Sequence, residues 1–370
     1  MQNARQRRIL KIATAGVLIS AALGVFVASS ATARAGTRTA ARMAVQNGAQ
    51  SDAQNNSQLV SSHRVAGSRV VTDEVGRRVE ISTEVKRIVT LAPNLTETVY
   101  ALGLEGLLVA DTNYCDTPPA AKLKPHVGDP QNPSLEAIVA LQPDLVLATT
   151  SINRLETADA LKQLGIAVYT TDPQTVRGML GSVIHMAQAM GAEKQGTELV
   201  ARMQQRLDAV QSRLSDRPMV HVLFVVWDQP LMTIGQNTFI ADALRWAGAE
   251  SVVLSKQKWP RLSLEEVVRL QPDYLVFTSD HGPVATTLRD LRARPGWRDL
   301  DAVETGHVVN VSEEAVRPSP GLVDAIEQLA HDVHPEAFAE KSETGNAKIE
   351  TAALPARVGK IGQECTPCAR

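Results

Sequence analysis

Short apolar runs alternate with amphipathic segments from about position 69 to position 338, the rhythm of strands each followed by a covering helix. In the first half, 87–91 (RIVTL), 107–110 (LLVA), 145–148 (LVLA) and 166–169 (IAVY) predict strands. An apolar run without polar alternation is what a strand buried on both faces requires. Helices are expected at 96–102, from Ser134 to just before Pro143, and at 157–164. Ser134 is a good N-cap and Gly165 a good stop, and Pro93 and Asn94 are expected to turn the chain. The second half has the same rhythm, with strands at 220–226, 274–278 and 308–311 and helices at 239–247, 264–270 and 322–333. Residues 69–82 alternate about Glu74-Val75-Gly76 and predict a β-hairpin packed on the edge of the first half.

The two halves are related. SLEAIVALQPDLVL at 134–147 returns as SLEEVVRLQPDYLV at 263–276, an offset of 129 positions with eight of fourteen residues identical. A weaker echo pairs Leu102-Gly103-Leu104-Glu105 with Ala247-Gly248-Ala249-Glu250. So long an offset implies two related lobes, because solenoids repeat at about 20–50 residues. Between the copies, 191–215 contains no proline, and Leu199, Met203, Leu207, Val210 and Leu214 line one helical face. About 20 residues of helix span about 30 Å, the length of a strut. The expected fold class is α/β: two Rossmann-like lobes with parallel sheets, at 69–190 and 218–338, joined by one long rigid α-helix at 191–217. A strut of this kind predicts that the lobes close through a small angle.

The ends differ in character. Arg5, Arg7, Arg8 and Lys11 precede an apolar stretch from Ile12 to Ala28, and Ala33-Arg34-Ala35 is a small-x-small cleavage site, so 1–35 reads as a secretory signal peptide. Gly36 occupies the position after the cleavage point where a lipoprotein would need cysteine, which makes a soluble periplasmic protein the expectation. Residues 36–68 and 339–370 are polar and aperiodic, a disordered linker and a disordered tail. Cys115 stands alone in the body, and Cys365 and Cys368 form a Cys-x-x-Cys in the tail without the helix that redox chemistry needs. A net charge of −2 gives no footprint for nucleic acid. A monomer with a small-molecule ligand is expected.

Candidate chemistry is sparse. No Gly-x-Ser-x-Gly, phosphate-binding Gly-rich loop or His-Glu-x-x-His occurs, so a periplasmic α/β enzyme lacks an advertised nucleophile and base. The eight histidines are scattered, which argues against a metal site, although His126 and His281 fall where they can reach a cleft. In open α/β sheets ligands bind beyond the C-terminal ends of the strands. Tyr114 and Asp116 come after a strand there, Trp227 ends another with Met232 after it, and Trp259 precedes Pro260. Aromatic residues make up only 4% of the chain, so tryptophans at loop mouths lean toward binding. Arg317 is either a ligand anchor or a salt-bridged loop residue. Glu136 and Glu265 hold equivalent places in the first turn of the repeated helix, where a carboxylate suits the helix dipole.

Five segments together resemble a known family: KRIVTLAPNLTETVYALG at 86–103, CDTPPAA at 115–121, SLEAIVALQPDLVLA at 134–148, KWPRLSLEEVVRLQPD at 258–273 and RPSPGLVDAI at 317–326. The pattern is similar to the periplasmic solute-binding proteins of ABC importers whose lobes share one long helix, and most of all to the cobalamin-binding receptors. The resemblance implies that Glu136 and Glu265, one per lobe, dock on arginines of the importer's membrane subunits. It also implies that Trp259 packs on a corrin ring and that Glu313 contacts side-chain amides of the ligand. The family's best-known members carry tryptophans where this chain has Pro130 and Thr149, so haem or a ferric siderophore stands as the alternative ligand to cobalamin or a related corrinoid. A sensor or scaffold that merely keeps the fold is the reading that the paired glutamates oppose. No cofactor is implied beyond the transported ligand.

Overall fold

The computed structural model describes residues 67–278 and 287–339. The signal segment, most of the 36–68 linker, His281, Cys365 and Cys368 lie outside the described residues.

The chain opens with the hairpin β1 (Ser68–Thr72) and β2 (Arg78–Ser82), paired antiparallel. Its turn is pinned to the first lobe: Glu74 N donates to Thr170 O at 3.1 Å, and the Glu74 carboxylate accepts from Asp172 N at 2.8 Å and Ser182 Oγ at 2.6 Å. The first lobe then builds β3 (Ile88–Thr90), α1 (Pro93–Ala101), β4 (Leu108–Ala110), α2 (Leu135–Ala140), β5 (Leu145–Thr149), α3 (Leu155–Gln163), β6 (Val168–Thr171) and α4 (Val176–Met190). Pro93 and Asn94 do not form a turn ahead of the helix. Proline fits at a first helical position, where its missing N–H would have no partner in any case, so α1 begins at Pro93. Helix α4 has no counterpart in the expectation. Gly178 and Gly181 dilute its pattern, but Thr175 caps it by accepting from Gly178 N at 2.9 Å, and Met179, Val183, Met186 and Met190 bury one face.

The strut α5 (Glu193–Leu214) comes next. It buries Leu199, Met203, Leu207, Val210 and Leu214, the face that periodicity selects, together with Gly196. The second lobe comprises β7 (Val220–Asp228), β8 (Leu231–Thr233), α6 (Phe239–Trp246), β9 (Ala249–Ser251), α7 (Leu264–Leu270), β10 (Tyr274–Thr278), α8 (Leu288–Ala293), α9 (Asp301–Thr305), β11 (Val308–Val311), α10 (Leu322–Val333) and the short α11 (Pro335–Phe338). Strands β8 and β9 and helices α8 and α9 are short additions that sequence periodicity does not reveal.

The sheets confirm the duplication. The first runs β4-β3-β5-β6 and the second β9-β7-β10-β11, each parallel throughout this path, with β8 added antiparallel at the end of β7. The repeated Gln-Pro-Asp explains part of the likeness. Gln142 and Gln271 both take positive φ, at 46° and 42°, and end the repeated helix. Asp144 Oδ2 accepts from Lys86 N and Arg87 N at 2.8 and 2.9 Å, and Asp273 Oδ2 accepts from His221 N at 2.9 Å. Each aspartate thereby fixes the start of the neighbouring central strand.

Strand alternation divides the core. Ile88, Leu145 and Leu147 of the first sheet, and Val222, Phe224 and Val276 of the second, face one continuous cluster that also takes in α4, α5, α6 and α10. The opposite faces have separate clusters, around Val89, Val146 and Ile138 in the first lobe and Leu223, Leu275 and Trp297 in the second. The lobes are thus welded along the strut side and independent on their outer sides.

Candidate functional site

A three-stranded ribbon stands at the mouth of the second lobe. Strand β7 runs beyond the sheet and turns back into β8, and the segment 258–262 lies antiparallel along β8 and Gly235. Thr233 N donates to Pro260 O at 3.1 Å, Leu262 N to Leu231 O at 3.1 Å, and Gly235 N to Lys258 O at 3.0 Å. Pro260, which has no N–H, sits in this pairing as an acceptor. The strands approach so closely at Gly235 that a Cβ there would lie 1.9 Å from Gln257 O.

The ribbon's register gathers the tryptophans. Val225 opposes Thr233 and Trp227 opposes Met232, with a bulge between Val225 and Trp227. In a regular strand these residues two apart would share a face. The bulge leaves Val225 in the core and turns Trp227 outward, at 46% exposure. Met232 also bridges Arg261, so Trp227, Met232 and Arg261 form one row across three strands. Trp259, half exposed, lies in a bend two positions before Arg261. Trp227 Nε1 donates to Gln229 O at 2.8 Å, which fixes the indole plane.

In the first lobe, Tyr114 and Asp116 are exposed on the loop after β4. Cys115 between them is buried, beside Thr96 Oγ1 at 3.1 Å and Thr112 Oγ1 at 3.2 Å, and its thiol is pushed up by burial. Asn153 ties three loops of this mouth together: Nδ2 donates to Leu91 O at 2.7 Å and Pro130 O at 2.8 Å, and Oδ1 accepts from Thr149 N at 2.8 Å. Pro130 and Thr149 are both buried, so neither offers a surface to a ligand. His126 does not reach out as a free ligand. Its Nδ1 lies 2.6 Å from Asp111 Oδ1, and burial pushes that carboxyl up to about 6 against the pull of His126 and Lys124.

Glu313 and Arg317 lie in the turn after β11, where the second lobe meets the start of α1. Arg317 Nη1 donates to Glu97 Oε1 at 3.0 Å across the two lobes, and the same guanidinium contacts Glu313. Asn94 Nδ2 donates to Pro318 O at 3.4 Å beside it. A third tie runs from Val176 N to Asp242 Oδ2 at 2.8 Å. The first two contacts bring the C-terminal ends of both sheets to one junction. Arg317 is thus ion-paired on both sides, to Glu97 and to Glu313. Burial raises the pKa of Glu97 most, opposed by Ser319 and Arg317, and Oε2 of Glu97 and Oγ of Ser319 are buried without a well-formed hydrogen bond.

No hydrogen bond or ion pair joins Tyr114 or Asp116 to the ribbon among the described residues. Glu136 and Glu265 are exposed at the second position of α2 and α7, behind Ser134 and Ser263, each of which caps its helix. No group of three or more His, Cys, Asp and Glu among the described residues is arranged to hold a metal. A cavity of about 1110 Å³ lies along the strut, lined by Glu97, Arg202, Met203, Arg206, Glu314 and Asp324 among others, and none of the candidate ligand residues borders it. Three residues escape a reading of the sequence: Glu97, Arg261 and Asn153. Glu97 looks like any polar residue of a helix. The signal for Arg261 is that it lies two positions after Trp259.

These features have counterparts. The periplasmic binding protein family model matches residues 88–315. An uncharacterized ABC transporter substrate-binding lipoprotein of Bacillus subtilis is 33% identical over 279 residues, 73% of this chain and 87% of the relative. The vitamin B12-binding protein of Vibrio parahaemolyticus is 28% identical over 245 residues, 65% of this chain and 87% of the relative. Among solved structures, the periplasmic haem-binding protein BhuT in complex with two haems matches with a TM-score of 0.63 at 25% identity, covering 69% of this chain and 99% of that one. The chain therefore belongs to the periplasmic binding protein family, as a solute-binding protein of an ABC transporter and not an enzyme.

Proposed function

We propose that this protein captures cobalamin or a related corrinoid between its lobes and delivers it to the membrane subunits of an importer. The observation that carries the reading is the outward row of Trp227 and Met232, with Trp259 beside it, on a ribbon held rigid by backbone hydrogen bonds. Such a face gives a flat macrocycle a large apolar contact at little entropic cost. Tyr114 and Asp116 supply the opposing loop, and Glu313 and Arg317 the polar floor. Glu136 and Glu265, solvent-facing on opposite lobes, are the proposed docking points for the importer. Export through the 1–35 signal segment, with cleavage after Ala35 and release as a periplasmic monomer, completes the reading.

Haem or a ferric siderophore is the second reading. It is favoured by the likeness to a haem-binding structure and by Pro130 and Thr149, which leave the first lobe short of aromatic surface. Calorimetry of residues 36–370 against cyanocobalamin, dicyanocobinamide, haemin and a ferric siderophore separates the readings. Tight binding of a corrinoid, weakened about 10-fold or more by Trp259→Ala, is the expected result. Binding of haemin or a siderophore alone assigns the second reading, and a failure of all four probes refutes both.

A further inference from the structure

Several charges on the cleft-lining loops of this protein are paired. Arg317 is held by Glu97 and Glu313, Arg294 by Asp228 at 3.0 Å, and His126 by Asp111. The ribbon differs. Its two segments after Asp228, 229–239 and 252–262, contain Lys256, Lys258 and Arg261 and no carboxylate. All three cations are exposed, and none makes an ion pair or side-chain hydrogen bond among the described residues. Arg261 is distinguished from the two lysines by its place. It bridges Met232, which opposes Trp227, in the close kind of antiparallel pair where neighbouring side chains lie nearest each other. An unpaired guanidinium is therefore fixed by backbone register at the end of an apolar row.

The floor of the cleft has the opposite character. Arg317 there is already paired with Glu97 and Glu313, and Glu314 lies close to Glu97. A ligand lying on the ribbon and reaching the floor meets an unpaired positive group at one side and an already paired one at the other. The ribbon thus offers an acidic substituent an unpaired cation.

We infer that Arg261 is a specificity-determining residue, and that the ligand is a flat ring system carrying an anionic group, a carboxylate or a phosphodiester, which pairs with Arg261 while the ring lies on Trp227, Met232 and Trp259. The inference rests on the proposal that the ribbon is the binding face. A guanidinium meeting such a group makes a charge-assisted hydrogen bond, which falls in the strong class. Lysine keeps the charge but loses the planar fork.

The test compares ligands that share a ring: haemin against haemin dimethyl ester, and cyanocobalamin against dicyanocobinamide, which lacks the phosphodiester together with its ribose and benzimidazole, so that the Arg261 variants and salt isolate the contribution of charge. Affinities are measured for the wild type, Arg261→Gln and Arg261→Lys at low and high salt. The wild type is expected to prefer the acidic member of one pair by about 10- to 100-fold. Arg261→Gln removes that preference and flattens the salt dependence, weakening the acidic member far more than the neutral one, and Arg261→Lys retains part of it. Which pair responds tells carboxylate from phosphodiester. Tight binding with a preference that Arg261→Gln leaves intact, or no preference in the wild type, overturns the role of Arg261 while the binding face stands. Absence of binding by every probe overturns the binding face and this inference with it.

Discussion

Arg317 of the second lobe donates to Glu97 of the first across 3.0 Å, with the two side chains 19% and 6% exposed. Glu313, on the same lobe as Arg317, contacts the same guanidinium. When the lobes part, Arg317 keeps a partner and Glu97 loses its own, so the pair behaves as a latch. Removing one member of a buried pair ordinarily costs about 3–5 kcal/mol. Because Glu313 still neutralises Arg317, Glu97→Ala is expected to cost about 1–3 kcal/mol in urea unfolding. Glu97→Gln keeps a hydrogen bond, costs less, and is expected to broaden the distance between spin labels placed on the two lobes. An unchanged distance distribution in both variants would show that the pair does not hold the lobes together.

The stiffness of the strut depends on how closely α4 and α5 approach. A Cβ at Gly196 would lie 2.4 Å from the Cβ of Ala187, too near for two real side chains. Gly196→Ala should therefore destabilise by about 1–3 kcal/mol despite its better helix propensity. Ala187→Gly removes the clash, and the double variant Ala187→Gly/Gly196→Ala should recover most of the loss. Thermal unfolding of the four proteins forms a double-mutant cycle, and simple additivity would contradict the close contact.

Much of this architecture is legible in the sequence because it comes from periodicity. The buried face of α5, the ranges of α7, β10, β11 and α10, and the order of the duplicated lobes all derive from apolar spacing and one repeat. The features that are not legible depend on tertiary contacts. Glu97 is buried only because the turn after β11 lies over α1, and nothing local in TETVYA signals that. The ribbon escapes because its strands are interrupted by Pro230, Gly235 and Pro260, and because a bulge decides which way Trp227 points. Trp259 is visible as a candidate, whereas its neighbour Arg261 acquires meaning only from the bridge to Met232.

Glu136 and Glu265 test the transport reading apart from the ligand reading. Each stands at the second position of its helix, makes no ion pair among the described residues, and gains at most about 0.3–1 kcal/mol from the helix dipole. The double variant Glu136→Ala/Glu265→Ala should fold and bind ligand within about twofold of the wild type. It should fail to stimulate the ATPase of the reconstituted importer, and the wild-type stimulation should weaken with added salt. Full stimulation by the double variant would refute docking through these two residues.

Asp111 sets a pH dependence whose sign is fixed by its burial. Its side chain is fully buried, Oδ2 has no hydrogen-bond partner, and its pKa is raised from 3.8 to about 6, chiefly by loss of hydration. The folded protein thus holds a proton between those values that the unfolded chain has released. Where the folded state binds more protons, stability falls as pH rises, so this group lowers stability through that window and by up to about 3 kcal/mol once above it. Asp111→Asn cannot titrate. Relative to the wild type, the variant should gain by up to about that amount between pH 4 and pH 7, the reverse of what loss of an ordinary salt-bridged carboxylate would give. Urea unfolding of both proteins across that range is the measurement. Parallel curves would mean that Asp111 is ionised throughout and that His126, not burial, controls it.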